Sequence, residues 1–175
     1  EAEEKLKDVA DYFLHHNLKI TNPQDDSVLK YSFKFQKKVM FRRSRGYAPN
    51  YFDVGVHSSE KIMAMGSHLK SSIAFYPNTH LYISQYLGNL ANFDVYQRYT
   101  QMAQQFTALF EQSATVFLTD KHPSYQSSLY GAQLHRQHPS KLIAIQHHKA
   151  HAAAILGEHK LFQKKVLSIV FDGTG

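Results

Sequence analysis

Between residues 115 and 171 short apolar runs alternate with segments long enough to be helices, and this alternation constrains the fold more than any other feature of the chain. The runs Thr115–Leu118, Leu142–Ile145 and Val166–Phe171 are nearly continuous in apolar residues. Strands buried on both faces read this way, whereas a strand with one wet face alternates. The intervening stretches, roughly 124–137 and 147–160, have helical length. Strand, helix, strand, helix, strand implies parallel strands joined by crossover helices, because parallel neighbours cannot be joined by a tight turn. The expected class is therefore α/β, with a buried parallel sheet in the second half of the chain.

The first half has a different style. Leu6, Val9, Ala10, Phe13 and Leu14 recur at helical spacing and predict an amphipathic helix over 3–16. Leu29, Tyr31, Phe33 and Phe35 alternate with Lys30, Ser32 and Lys34. This predicts a strand over 28–35 that turns at Gln36-Lys37-Lys38 into Val39-Met40-Phe41. Gly46, Pro49 and Asn50 then suggest a domain boundary within 46–60. Beyond it, Ile73–Tyr76 and Leu81–Ser84 are short strand candidates, and 92–112 reads as a long helix with Phe93, Tyr96, Ala103, Phe106 and Phe110 on one face.

Composition excludes several classes. There is no cysteine, so disulfides and thiolate metal sites are ruled out, and a reducing compartment is compatible. No apolar run approaches the roughly 18 residues of a membrane span, and the acidic Glu1-Ala2-Glu3-Glu4 start is wrong for a signal peptide. A first residue other than Met, and a last four, Asp172-Gly173-Thr174-Gly175, that form a turn after an apolar run, lead us to expect an interior piece of a longer protein. The net charge of +6 suits an anionic partner and equally an ordinary lysine-rich surface.

Twelve histidines direct attention to metal-ligand spacing. In Gln146-His147-His148-Lys149-Ala150-His151, His147 and His151 fall one turn apart on one helix face, as two imidazoles sharing an ion require; a partly solvated polar face is the plain alternative. Consecutive parallel strands would bring His147, after Leu142–Ile145, and Asp172, after Val166–Phe171, to the same carboxyl edge of the sheet, where α/β proteins bind ligands. His147, His151 and Asp172 are therefore the candidate metal ligands, with coordination positions left open for substrate oxygens. Gly173, Thr174 and Gly175 form either a turn that lets backbone N–H groups approach phosphate or simply a good turn. Asp120 ends the run Thr115–Leu118 at the same edge, where a helix N-cap explains it at least as well as a functional role. Arg42, Arg43 and Arg45 match phosphate geometry, or else mark a solvated strand end.

Several blocks in order carry a resemblance. Asp8-Val9-Ala10-Asp11-Tyr12-Phe13-Leu14, His16-Asn17, Asp25-Asp26-Ser27-Val28 and Arg42-Arg43-Ser44-Arg45-Gly46-Tyr47-Ala48-Pro49 resemble the end of the YrdC-like domain of HypF-type carbamoyltransferases. Gly66-Ser67-His68-Leu69-Lys70, Ile83-Ser84-Gln85 with Gly88-Asn89-Leu90, His122-Pro123-Ser124-Tyr125, Gln146-His147-His148-Lys149-Ala150-His151 and Asp172-Gly173-Thr174-Gly175 resemble the domain that follows it. The resemblance implies that residues 1–48 end a YrdC-like α/β domain, 49–60 link, and 61–175 begin an actin-like (ribonuclease-H-like) carbamoyl-transfer domain.

In that family carbamoyl phosphate and ATP yield a carbamoyl-adenylate. The carbamoyl group then passes to a C-terminal cysteine of the partner HypE, on its way to becoming a cyanide ligand of nickel–iron hydrogenase. The resemblance thus implies a cytoplasmic enzyme using ATP with Mg, and Zn or Fe held by His147, His151 and Asp172. It places Ser27 and Arg42, Arg43 and Arg45 near the adenylate-forming site. It implies no nucleophile in this chain, since the partner's thiolate attacks, and it makes nucleic acid and membranes unexpected partners. The chain departs from the family pattern at Leu18 and at Pro23-Gln24, where arginines are usual, at His68 in place of Glu, at Tyr86 in place of His, and at Lys149 within the histidine run. Two other functions fit the same features: a tRNA threonylcarbamoyl transferase, whose substrate would reward the basic balance, and a non-catalytic remnant that still binds metal or nucleotide.

Overall fold

A computed structural model describes residues 2–18 and 20–172. In chain order the elements are α1 (Ala2–Leu6), β1 (Val28–Ser32), β2 (Lys37–Arg42), β3 (Asn50–Phe52), β4 (Ile62–Ala64), β5 (Ala74–Tyr76), β6 (Leu81–Ile83), α2 (Phe93–Phe110), β7 (Val116–Asp120), α3 (Gln126–Gln137), β8 (Lys141–Ile145) and α4 (His147–Glu158). β1 and β2 form an antiparallel hairpin, and the other strands form a six-stranded sheet in the order β3-β6-β5-β4-β7-β8. β4, β7 and β8 run parallel, whereas β3, β6 and β5 join antiparallel. The fold is α/β with a mixed sheet: β7 and β8 are the parallel pair anticipated, their third parallel neighbour is β4 rather than Val166–Phe171, and a three-stranded antiparallel extension lies beside them.

The register explains where the core sits. Met63 is opposite Phe75 on one side and Phe117 on the other, and Phe75 is opposite Tyr82. Partners directly opposite share a face, so Tyr82, Phe75, Met63 and Phe117 make one apolar row across four strands. Helix α2 covers this row. Phe110 lies 4.5 Å from Tyr82 and 5.7 Å from Phe75, ring centre to ring centre, and Phe106 lies 6.3 Å from Phe75. Asn92 caps α2 by accepting the N–H groups of Asp94 and Val95, and Glu111 closes it in the left-handed conformation. Tyr99, fully buried, donates its hydroxyl proton to the Met65 carbonyl at 2.7 Å, and burial raises its pKa well above the usual tyrosine range. Helix α3 reaches the same face through Gly131: a Cβ there would fall 2.5 Å from Thr119 Cγ2 and 2.9 Å from Met65 Cγ.

Three expectations need correction. The stripe over 3–16 yields a helix only at Ala2–Leu6, and Val9 and Leu14 are exposed. A short amphipathic helix is marginal in water without a surface to pack on, and α1 buries none of its residues. The strand expected over 28–35 ends at Ser32, because the hairpin turns at 33–36, with Gln36 at φ 50°, rather than at Gln36-Lys37-Lys38. The apolar run Val166–Phe171 carries no strand, and Leu167, Ile169 and Phe171 are exposed. Apolar content makes a segment suitable for burial, but a strand exists only where a neighbour's backbone accepts its ladder. Asn50–Phe52, within the stretch read as a linker, pairs with β6. Among the described residues no helix is long and apolar enough to cross a membrane.

The opposite end of the parallel strands is tied by Glu60. Its carboxylate accepts the Thr115 hydroxyl at 2.6 Å and the Lys141 ammonium at 2.5 Å, while the Lys61 N–H donates to Thr115 Oγ1 at 3.0 Å. The hydrogen bond from Lys141, then that from Thr115, lowers the Glu60 pKa. A carboxyl group lowered in the folded state contributes stability above its ordinary value of about 4.3 and loses it as pH falls through the lowered value. Urea denaturation across a pH series should therefore show Glu60→Gln less stable than the parent near neutrality, with the gap closing in acid. A gap that persists below the glutamate range would refute this tie. Gly131→Ala should cost about 1–3 kcal/mol by overpacking. Gly66→Ala should cost more in the same denaturation assay, because at φ +65° its Cβ would sit 2.2 Å from the Ser72 carbonyl oxygen, and backbone cannot swing aside as a side chain can.

Candidate metal centre

β7 and β8 run parallel in register, with Asp120 opposite Ile145, and the Lys121 N–H continues the ladder to the Ile145 carbonyl at 3.0 Å. Helix α4 begins two residues after Ile145, so His147 emerges at the carboxyl edge beside Asp120. His147 Nδ1 lies 2.6 Å from Asp120 Oδ2. The other nitrogen, Nε2, lies 3.2 Å from His151 Nε2 and 3.3 Å from Asp172 Oδ2, and His151 Nε2 lies 4.0 Å from that same oxygen. These three ligand atoms are the one such group among the described residues. An ion about 2.1 Å from each ligand in tetrahedral array spaces them about 3.4 Å apart, which the observed separations approach. The chemistry of the set fits as well: two imidazole nitrogens and one carboxylate oxygen are three donors, one fewer than the four a tetrahedral ion takes.

Asp172 thus arrives at His147 without the strand expected to deliver it. The residues that precede it, 165–171, belong to no helix or strand. Asp120 does not cap α3 as expected, since Tyr125 holds that N-cap position. It does satisfy a turn, since its Oδ1 accepts the His122 N–H at 2.8 Å, but its second oxygen meets His147. The available signal was that β7 and β8 end side by side, so their terminal residues must face each other.

Two further blocks meet next to Asp120. The Gln126 N–H at the start of α3 donates to His68 Nδ1 at 3.4 Å, and His68 stacks on Tyr125 with ring centres 5.4 Å apart. Tyr125 in turn stacks on His122 at 4.0 Å. The loop over 66–70 and the loop over 121–125 therefore form one wall beside the histidine pair.

The basic cluster lies elsewhere. Arg42 Nη1 donates to Asp25 Oδ2 at 3.1 Å; Arg45 donates to the Gln24 carbonyl at 3.0 Å and lies 3.6 Å from Asp26. Arg43 donates to the Tyr47 carbonyl at 3.1 Å and sits 5.0 Å over the Phe52 ring. Ser27 Oγ accepts the Ser44 N–H and donates to the Arg45 carbonyl. Each guanidinium is thus matched locally. The Tyr86 N–H, just after β6, donates to the Arg43 carbonyl, which anchors this segment near β6, four strand spacings from β8. That is on the order of 19 Å, so the arginines and the histidines do not form one site. Gly173, Thr174 and Gly175 lie outside the described residues.

The family model for the HypF Kae1-like domain matches residues 57–158. The carbamoyltransferase HypF of Synechocystis sp. is 34% identical over 98% of this chain and 22% of its own length. The probable carbamoyltransferase HypF of Methanocaldococcus jannaschii is 31% identical over 98% of this chain and 22% of its own length. Among solved structures, full-length HypF in its phosphate- and nucleotide-bound form superposes with a TM-score of 0.83 at 34% identity, covering 99% of this chain and 26% of that one. HypF of T. kodakarensis superposes with a TM-score of 0.76 at 32% identity, covering 91% of this chain and 21% of that one. The chain spans between a fifth and a quarter of the length of the relatives it matches. Matched over more than half its length by that family model and along almost all of it by HypF proteins, this chain belongs to the HypF family.

Proposed function

We propose that this chain is part of an ATP-dependent carbamoyltransferase. In this reading carbamoyl phosphate, water and ATP yield a carbamoyl-adenylate with release of phosphate and pyrophosphate, and the thiolate of a C-terminal cysteine on a HypE-like partner attacks its carbonyl carbon. A C–S bond forms, the C–O bond to the adenylate phosphate breaks, and AMP leaves with the electron pair. The setting is cytoplasmic, where the partner's thiol stays reduced. The chain has no cysteine, which is no obstacle to a step whose nucleophile the acceptor carries. Residues 1–48 would close the adenylate-forming YrdC-like domain and 61–175 would open the transfer domain, with 49–60 between them.

The observation that carries this reading is the convergence of His147, His151 and Asp172 on one point at the carboxyl edge of the sheet. They would hold zinc or iron, whose preferences a mixed nitrogen–oxygen set serves about equally; Mg, which prefers oxygen ligands, would accompany the nucleotide instead. When bound there, a divalent ion supplies positive charge against phosphate oxygens and so favours departure of AMP. The imidazoles would contribute their ring nitrogens as ligands, and Asp172 would offset the ion's charge. Gly173, Thr174 and Gly175 would bring backbone N–H groups to the nucleotide's phosphates. Ser27, Arg42, Arg43 and Arg45 would serve adenylation, with Arg42 and Arg45 exchanging Asp25 and Asp26 for phosphate oxygens.

Two measurements test this. Elemental analysis of the purified protein should find roughly one ion per chain, lost to background in the doubly substituted His147→Ala, His151→Ala protein. Full retention of metal would remove the site. Incubation of the full-length protein with carbamoyl phosphate, ATP and its partner should add one carbamoyl group to the partner's C-terminal cysteine, seen by mass spectrometry. No such addition, together with salt-dependent binding of tRNA, would favour threonylcarbamoyl transfer instead.

A further inference from the structure

We infer that Asp120 is a positioning residue that dictates which nitrogen of His147 is free to bind metal; this rests on the reading of His147, His151 and Asp172 as a metal centre. A neutral imidazole carries its proton on one nitrogen and its lone pair on the other. A carboxylate only accepts hydrogen bonds. At 2.6 Å, Asp120 Oδ2 therefore requires the proton on His147 Nδ1. That leaves a bare lone pair on Nε2, the atom that faces His151 Nε2 and Asp172 Oδ2 at 3.2 and 3.3 Å. The opposite tautomer would set two acceptors against each other at Asp120 and aim an N–H at the point where the ion belongs.

Asp120 is itself held in place. Its side chain is 9% exposed, its Oδ1 accepts the His122 N–H at 2.8 Å, and its carbonyl accepts the Ser128 hydroxyl at 3.0 Å. It is the last residue of β7, clamped by the ladder to β8. Both carboxylate oxygens are thus committed to donors, one from the β7–α3 loop and one from the imidazole. This double commitment yields an ordering that a merely structural role would not produce. Asparagine has one acceptor oxygen for two donors. If the His122 N–H keeps that oxygen, the amide NH₂ faces His147 Nδ1 and drives the proton to Nε2, where it blocks the ion. Alanine only releases the ring.

The test is nitrogen-15 NMR of the His147 ring in metal-free protein, combined with metal affinity from chelator competition. The unsubstituted protein should show the Nδ1–H form. Asp120→Ala should show a mixture, and Asp120→Asn should show chiefly Nε2–H. Zinc affinity should fall about 10- to 100-fold in both variants, with Asp120→Asn at least as weak as Asp120→Ala. An Nε2–H ring in the unsubstituted protein overturns the inference, and so does an unchanged Nδ1–H ring in both variants. The first of these measurements needs no variant to fold. If the unsubstituted protein shows the Nδ1–H ring and the variants shift it, yet no protein binds zinc, then Asp120 positions the ring as argued and the metal reading is the part that fails.

Discussion

The parallel ladder between β7 and β8 is the interaction on which the rest of the site depends. Five residues of each strand pair in register, ending with Asp120 opposite Ile145. Because a strand repeats every two residues and a helix every 3.6, the order strand, short link, helix converts this backbone register into a fixed side-chain meeting. His147 opens α4 immediately after the last pair, and His151 follows one turn later on the same face. A slip of one residue in the ladder would turn Asp120 to the opposite face of the sheet and break its contact with His147. The side-chain cluster at the carboxyl edge is therefore held by the backbone hydrogen bonds of the ladder.

Those hydrogen bonds are held in turn by packing on one face. Met63, Phe75 and Phe117 lie opposite one another across β5, β4 and β7, and α2 closes over them. Helix α3 approaches closely enough to reach Thr119 and Met65 only because residue 131 lacks a side chain. Thr119 precedes Asp120, and Met65 precedes the loop that carries His68. The same close contact therefore holds both loops beside the candidate centre. At the other end of the strands Glu60, Thr115 and Lys141 form a polar tie that keeps the three parallel strands level.

The basic segment around Arg42–Arg45 follows a different logic. Its charges are matched by Asp25, Asp26 and backbone carbonyls, and it sits against the antiparallel side of the sheet. The arginines and the histidines thus lie on different flanks of the structure, about four strand spacings apart.

Much of this could be read directly from the chain. The helices α2, α3 and α4, and strands β7 and β8, lie within a few residues of their predicted positions, because each is long enough for its period or its apolar continuity to be distinctive. The histidine pair was legible for the same reason: four residues on a helix is a local distance. The three-residue strands β3 and β4 left no periodic trace, and β4 is central only because Phe75 and Phe117 flank Met63 in space. The stripe over 3–16 and the apolar run 166–171 misled in the opposite direction, since both describe a capacity for burial that is realised only when another surface supplies the contacts. Local pattern is enough to say which segments can be helix or strand and which donor atoms they carry. That Asp120 touches His147 and that Asp172 reaches the pair without a strand emerges only in three dimensions, because those meetings depend on the register and proximity of segments some twenty-five residues apart, which no local pattern encodes.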